Sequence, residues 1–134
     1  ITTKLTKNLR NNNMKRFRSN FETNFARFLK DNKIKYEYET KKIKYTPKER
    51  TYNPDFYLVD YDILIETKGR LTMDDRAKHM RIKEQHPDLD IRFIFQRCKE
   101  KLYKGSKTTY ADWCDKHGFE YAEGEIPRKW MKTN

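Results

Sequence analysis

A chain of 134 residues suits one domain, on a prior of roughly 100–200 residues per domain. Hydrophobic residues make up 35% and charged residues 38%, so the core is small, yet nine Tyr and eight Phe give it bulk and exclude a wholly disordered chain. The 31 Lys and Arg against 20 Asp and Glu leave a net charge of +11 and a pI near 9.6, which favours polyanionic partners and salt-dependent binding.

Charge names only a partner class, since ribosomal proteins and membrane-surface binders share this balance. Cys98 and Cys114 have no CxxC spacing and read as neither a disulfide framework nor a zinc site, so a reducing cytosolic compartment is the simplest expectation. No apolar run approaches the ~18 residues of a spanning helix, and no signal peptide opens the chain. Position 1 is Ile rather than Met, so a natural start further upstream is expected.

Residues 1–18 carry Lys4, Lys7, Arg10, Lys15, Arg16 and Arg18 with no acid, and read as a basic arm or a solubilising tail. A single domain over 19–134 is expected to follow. Ser19 starts a helix in which Phe21, Phe25, Phe28 and Leu29 form one apolar face, and Ser19 with Glu22 fits a capping box. Ile34 to Glu39 alternates like a half-buried strand. Residues 40–51 are basic, contain Pro47 and read as a connector without a clear period. Phe56–Val59 and Ile63–Ile65 form a tight hairpin across Asp60-Tyr61-Asp62. A helix over Thr72–Gln85 is expected to put Leu71, Met73, Ala77 and Met80 on one side, with Pro87 beyond its end. Ile91–Phe95 fits the interior of a sheet. Thr109–His117 is a further helix, stopped by Gly118. Phe119–Ala122 is a last strand, and Pro127 begins a terminal turn. The order implies an α/β fold, a mixed sheet with helices on its faces.

The hairpin holds the informative residues: Pro54-Asp55 at its entrance and Glu66-Thr67-Lys68 on its return strand. Alternation puts Glu66 and Lys68 on one face. A two-residue loop at Asp60 and Tyr61 pairs Val59 with Asp62 and brings position 55 opposite position 66; a three-residue loop slides the pair onto a diagonal. Two facing carboxylates are destabilising alone, and a divalent cation between them removes the repulsion. Oxygen ligands suit Mg²⁺, which supplies Lewis acidity at a phosphate and a more acidic water. Neighbouring carboxylates oppose a lowered pKa at Lys68, so positioning and charge stabilisation fit it better than a base role. Taken alone, PD…ExK is a weak pattern that also fits a solvated cross-strand ion pair. Buried surroundings raise its value, because unpaired buried carboxylates are costly.

Residues 17–22 (Phe-Arg-Ser-Asn-Phe-Glu), 52–56 (Tyr-Asn-Pro-Asp-Phe) and 65–69 (Ile-Glu-Thr-Lys-Gly) closely resemble the phage T7 endonuclease I family of Holliday-junction resolvases. So do residues 84–92, 101–106 and 113–118, and the similarity spans about 17–130 in order. The resemblance implies a restriction-endonuclease-like fold and a homodimer that cuts four-way and other branched DNA. By position it implies catalytic roles for Glu22, Asp55, Glu66 and Lys68. Asp55, Glu66, the backbone carbonyl of Thr67 and Glu22 would form the metal site, with Mg²⁺ as cofactor and Mn²⁺ as a substitute. It also implies exchange of N-terminal elements between protomers, so that Glu22 joins the partner's acidic site, although the connector is shorter than the family's bridge. A phage-type protein acting in host bacterial cytoplasm is the corresponding expectation.

Glu22 thus has two readings, a helix cap from local sequence and a catalytic acid from the family. His79, His86 and His117 share no ligand spacing and read as surface or helix-end residues. Arg97, Lys101, Lys104, Ser106 and Lys107 cluster near Tyr103 and read as phosphate contacts or as a solvated loop. Lys15, Arg16 and Arg18 in the arm, and Lys41, Lys42, Lys44, Lys48 and Arg50 in the connector, are further DNA candidates. With no base-reading motif in view, selection by DNA shape is expected. Sequence-specific cutting of linear DNA, or junction binding without catalysis, are the other readings.

Overall fold

The computed structural model describes residues 17–45 and 49–132. Helix α1 (Asn20–Asp31) begins where Ser19, in extended backbone, accepts the Glu22 N–H on its hydroxyl at 3.1 Å. Phe25, Ala26 and Leu29 are its buried face, with Phe21 and Phe28 packed beside them. Past its end, Ile34 and Tyr38 are buried while Lys35 and Glu37 face solvent, and strand β1 (Tyr36–Tyr38) keeps the expected alternation.

The connector is more ordered than its sequence suggests. β2 (Ile43–Tyr45) and β3 (Arg50–Tyr52) form a two-stranded antiparallel ribbon in the register Ile43↔Tyr52, Lys44↔Thr51 and Tyr45↔Arg50. Three residues per strand are too few for a period to stand out. The ribbon is held from outside by Tyr45 and Tyr52, which cluster with Leu64, Ile82 and Ile91.

Strands β4 (Phe56–Leu58), β5 (Ile63–Lys68), β6 (Ile91–Phe95) and β7 (Glu120–Glu123) join β1 in one sheet of order β1-β4-β5-β6-β7. The β1/β4 and β4/β5 pairs are antiparallel, and β5/β6 and β6/β7 are parallel. The hairpin has the expected register, Phe56↔Ile65 and Leu58↔Ile63, which continued one step sets position 55 against position 66. Its strand pairing ends one step early, so the loop runs from 59 to 62; Leu58 O accepts the Tyr61 and Asp62 N–H groups, and Asp62 turns left-handed at φ 56°. β5 extends to Lys68, further than its apolar run, because β6 pairs with it along its polar end.

Parallel pairing demands crossovers, and helices α2 (Met73–Gln85) and α3 (Tyr110–His117) supply them. Each starts with a full capping box, Thr72 with Asp75 and Thr109 with Asp112. Gly118 ends α3 at φ 75°, where a Cβ would come within 3.0 Å of Lys83 Nζ, the group that donates to Gly118 O. One face of the sheet packs Phe56, Leu58, Ile63, Ile65 and Ile94 on α1 and on the 3₁₀ turn Arg128–Met131. The other packs Phe93 and Phe95 against Leu71, Tyr110, Trp113 and Phe119.

The face expected for α2 is corrected. Met73 is 72% exposed and Ala77 is exposed, whereas His79 and Ile82 turn inward and Leu71 is buried just ahead of the helix. His79 is no surface residue: it is fully buried among Tyr52, Phe93 and Phe119, with both ring nitrogens unpartnered among the described residues. Burial and the nearby Lys78 and Lys68 charges depress its pKa to about 3, so it packs as a neutral ring. His86 and His117 do sit at helix ends. Cys98 and Cys114 are both free thiols. No helix among the described residues is long and apolar enough to cross a membrane.

Candidate active site

Four side chains that sequence reasoning singled out converge at the polar end of β5. Asp55, just ahead of β4, accepts on one oxygen (Oδ2) from the Thr67 N–H at 2.9 Å and the Thr67 hydroxyl at 2.8 Å. Its Oδ1 has no hydrogen-bond donor among the described residues. Asp55, Glu66 and Glu22 are buried, at 7%, 4% and 6% relative exposure. Alternation along β5 sends Glu66 and Lys68 to the α2 face and Thr67 to the α1 face. Asp55 meets Thr67 from the strand entrance, so the acids collect around the sheet's end rather than on one face.

Glu22 uses both carboxylate oxygens. Oε1 accepts the Arg18 N–H at 2.6 Å and the Tyr38 hydroxyl at 3.0 Å, while Oε2 lies 3.5 Å from the Thr67 hydroxyl. Ser19 caps the helix, but Glu22 does not return the bond to the cap residue; its carboxylate reaches the N–H one residue earlier and faces the site. Within one chain, Glu22 stands beside that chain's own Asp55 and Thr67.

Glu66 accepts the Tyr52 hydroxyl at 2.8 Å on Oε1, and Lys68 Nζ lies 3.4 Å from Oε2. Lys68 also lies 3.1 Å from Asp75 of α2. Burial, reinforced by the charges of Glu66 and Glu22, pushes the Asp55 carboxyl up to about 8 against the two Thr67 hydrogen bonds. Burial also raises Glu66, with Lys68, Lys78 and Tyr52 acting against it. At Lys68 burial works to lower the pKa, but Glu66, Asp75 and Asp55 together outweigh it and the net shift is upward. The upward shift favours the charged ammonium at Lys68.

The donor set fits a hard divalent cation. All nearby ligand atoms are oxygens, Asp55 Oδ1 has no donor among the described residues, and the burial and acidic neighbours that raise Asp55 are what a cation offsets. Among the described residues no group of three or more His, Cys, Asp or Glu side chains is placed to hold a metal ion, so any ion here would rest on fewer carboxylates. An open site of one or two carboxylates completed by water and phosphate is the usual Mg²⁺ arrangement.

Cationic residues lie beside this end of the sheet. The N–H of Gln96 donates to Lys68 O at 3.0 Å, which sets the segment after β6 against the end of β5. There Arg70, Arg97, Lys99, Lys101 and Lys104 border an open groove of about 630 Å³, with Tyr103 at 65% exposure. Lys107 is exposed nearby. Ser106 departs from its expected role: it is 4% exposed, and its hydroxyl accepts the Thr108 N–H and donates to Thr108 O, so it shapes the loop. Arg18 pairs with Glu39 at 2.8 Å, Lys44 with Glu49 at 3.0 Å, and Lys41 lies 4.0 Å from the Tyr57 ring centre. Lys42 and Arg50 are exposed. Lys15, Arg16 and Lys48 lie outside the described residues.

Sequence reasoning missed Tyr52, Asp75, Arg70 and Lys99. Thr72-x-x-Asp75 is legible as a capping box, but nothing local ties it to Lys68; Tyr52 reaches Glu66 only through the ribbon's packing.

Residues 4–134 match the model of the phage endonuclease I family. The chain is 47% identical over 118 residues to endonuclease I of Escherichia phage T7, covering 87% of this chain and 78% of that protein. It is 48% identical over 113 residues to endodeoxyribonuclease 1 of Enterobacteria phage T3, covering 83% and 74% respectively. Extended identity on both sides of a site that holds its acids and lysine together leaves one assignment: this chain is a member of the phage endonuclease I family.

Proposed function

We propose that the chain is a divalent-metal-dependent DNA endonuclease that resolves four-way and other branched DNA as a homodimer. The observation that carries the reading is the buried convergence of Glu22, Asp55 and Glu66 beside the Lys68 ammonium, with Asp55 pushed up to about 8 by burial and its acidic neighbours. Three buried acids with one lysine are costly unless a cation joins them. The names of the T7 and T3 relatives, an endonuclease and an endodeoxyribonuclease, support the same chemistry.

Asp55 and Glu66 would hold Mg²⁺, with Glu22 and the Thr67 carbonyl completing the acidic end and Mn²⁺ as a substitute. When bound, the ion supplies Lewis acidity at the scissile phosphate and makes water more acidic. Thr67 holds Asp55 in place through two hydrogen bonds to Oδ2, and no described residue donates to Oδ1. Tyr52 holds Glu66 from the ribbon through one hydrogen bond to Oε1, with Lys68 facing Oε2. Lys68, protonated, stabilises negative charge that builds on the phosphoryl oxygens. The groove of Arg70, Arg97, Lys99, Lys101 and Lys104 takes the phosphate backbone next to the cut, a contact that positions DNA without reading bases.

In a homodimer, the α1–β1 segment would exchange between protomers by opening the β2–β3 ribbon, remaking the same contacts on the partner. Two sites in one particle suit paired cuts across a junction.

The test compares a synthetic four-way junction with linear duplexes of the same arm sequences, with and without Mg²⁺. Paired, metal-dependent cuts confined to the junction are expected. Cutting of the linear duplex at one sequence, or binding without cleavage in any metal, would overturn the reading. Asp55→Asn and Glu66→Gln should each lower cleavage by at least ~10³-fold while keeping junction affinity, since each removes a metal ligand and not a DNA contact. Wild-type turnover in either variant would refute the site assignment.

A further inference from the structure

The Lys68 ammonium has two carboxylates in reach, Glu66 Oε2 at 3.4 Å and Asp75 Oδ1 at 3.1 Å. Glu66 shares β5 with Lys68, whereas Asp75 comes from the first turn of α2. Asp75 is held independently of the lysine. Its Oδ2 accepts the Thr72 N–H at 3.1 Å, and Thr72 Oγ1 accepts the Asp75 N–H at 3.1 Å. A single carboxylate therefore closes a capping box with one oxygen and presents the other to a site lysine. The capping box needs no lysine, so the second contact is additional to helix capping. With side chains only 16% and 20% exposed, the ion pair is partly shielded from solvent screening. A lysine on a flexible four-carbon stem samples many rotamers unless its ammonium is fixed.

We propose that Asp75 is a positioning residue for phosphodiester cleavage, its charge anchoring the Lys68 ammonium beside Glu66 from the first turn of α2. The inference rests on the nuclease reading above. Asp75 touches neither DNA nor metal; it acts through Lys68. Without it Lys68 keeps only the longer contact to Glu66 and is free to swing away from the phosphate.

Three chains test this: wild type, Asp75→Asn and Thr72→Ala. Asparagine retains an oxygen for the Thr72 N–H and loses the charge that holds Lys68. Alanine at position 72 weakens the cap and leaves Asp75 charged. Under saturating Mg²⁺, Asp75→Asn should lower the single-turnover cleavage rate by about 10–100-fold, with junction affinity within about twofold of wild type. Thr72→Ala should lower Tm yet keep the rate within about twofold. In metal-free protein, ¹³Cε relaxation should find Lys68 ordered in wild type and Thr72→Ala, and mobile in Asp75→Asn. An Asp75→Asn chain with an ordered Lys68, or with the wild-type rate, overturns the proposal. A Thr72→Ala chain that loses as much rate as Asp75→Asn also overturns it, because the cap alone then explains the loss. A wild-type chain that cuts no DNA would sink the nuclease reading instead, and the relaxation measurement would still decide the role of Asp75.

Discussion

Asp55 is the residue at which burial and function conflict most visibly. Its carboxyl, normally near 3.8, is pushed up to about 8 by burial and by Glu66 and Glu22, so the metal-free folded chain holds a proton there that the unfolded chain releases above about pH 4. The folded state thus binds more protons between the two values, and stability from this group is lost as pH rises from about 4 through 8. In Asp55→Asn this loss should vanish, making the metal-free variant more stable than wild type at pH 8 by on the order of 1–3 kcal/mol, the scale of an uncompensated buried polar group. Urea unfolding at pH 5 and pH 8 checks it; a variant less stable than wild type at pH 8 would contradict the picture. Mg²⁺ should likewise stabilise wild type more at pH 8 than at pH 6, because the ion needs the ionised carboxylate. His79 runs the other way. Depressed to about 3 by burial, it contributes stability present above about 6.5 and lost as pH falls towards 3, outside the upper part of the Asp55 window.

Among the elements, α1 combines packing and chemistry in its first turn. Ser19 fixes Glu22 N at 3.1 Å, and the Glu22 side chain then spans Arg18 N, Tyr38 and Thr67. Ser19→Ala should cost about 1 kcal/mol as a lost cap. Because the same turn aims Glu22, cleavage should also fall severalfold at temperatures where the variant is fully folded. Thermal unfolding read beside single-turnover cleavage checks both, and a stability loss with unchanged cleavage would mean that Tyr38 and Arg18 alone hold the acid. The β2–β3 ribbon has a similar double role: Tyr52 packs beneath it near His79 and donates to Glu66, so ribbon and acid share one anchor.

Across the whole molecule, the antiparallel half of the sheet brings Asp55 and Glu66 together, and the parallel half brings the cationic groove to the same end. The link between α1–β1 and the rest of the sheet runs through the ribbon, which is where an exchange between protomers would open. Mixed dimers of a Glu22→Ala chain and an Asp55→Ala chain should then retain one working site, since one composite site keeps both acids. Nicking of one strand of a junction is the expected result. Complete loss of cleavage in the heterodimer would show that each chain keeps its own Glu22.

Period and spacing were enough for α1, the β4–β5 register and the buried strand β6, because each rests on local alternation or on a turn a few residues long. The PD…ExK residues stood out for the same reason, whereas Glu22 read locally as a helix cap and joined the candidate acids only through likeness to a family. Other features depended on distant packing. Which face of α2 is buried follows His79 and Ile82, whose partners lie on other elements, and not Met73 or Ala77. The ribbon escaped notice because three-residue strands have no readable period, and its tyrosines find their partners on other elements. Ser106 turned inward because its loop needed its hydroxyl. Asp75 and Tyr52 join the site from α2 and β3, segments whose sequence gives no hint of Lys68 or Glu66. Local sequence determined which acids and which lysine this protein carries. Tertiary structure decided what holds them, because hydrogen-bond partners far apart in the chain are chosen only when the sheet and its helices close around them.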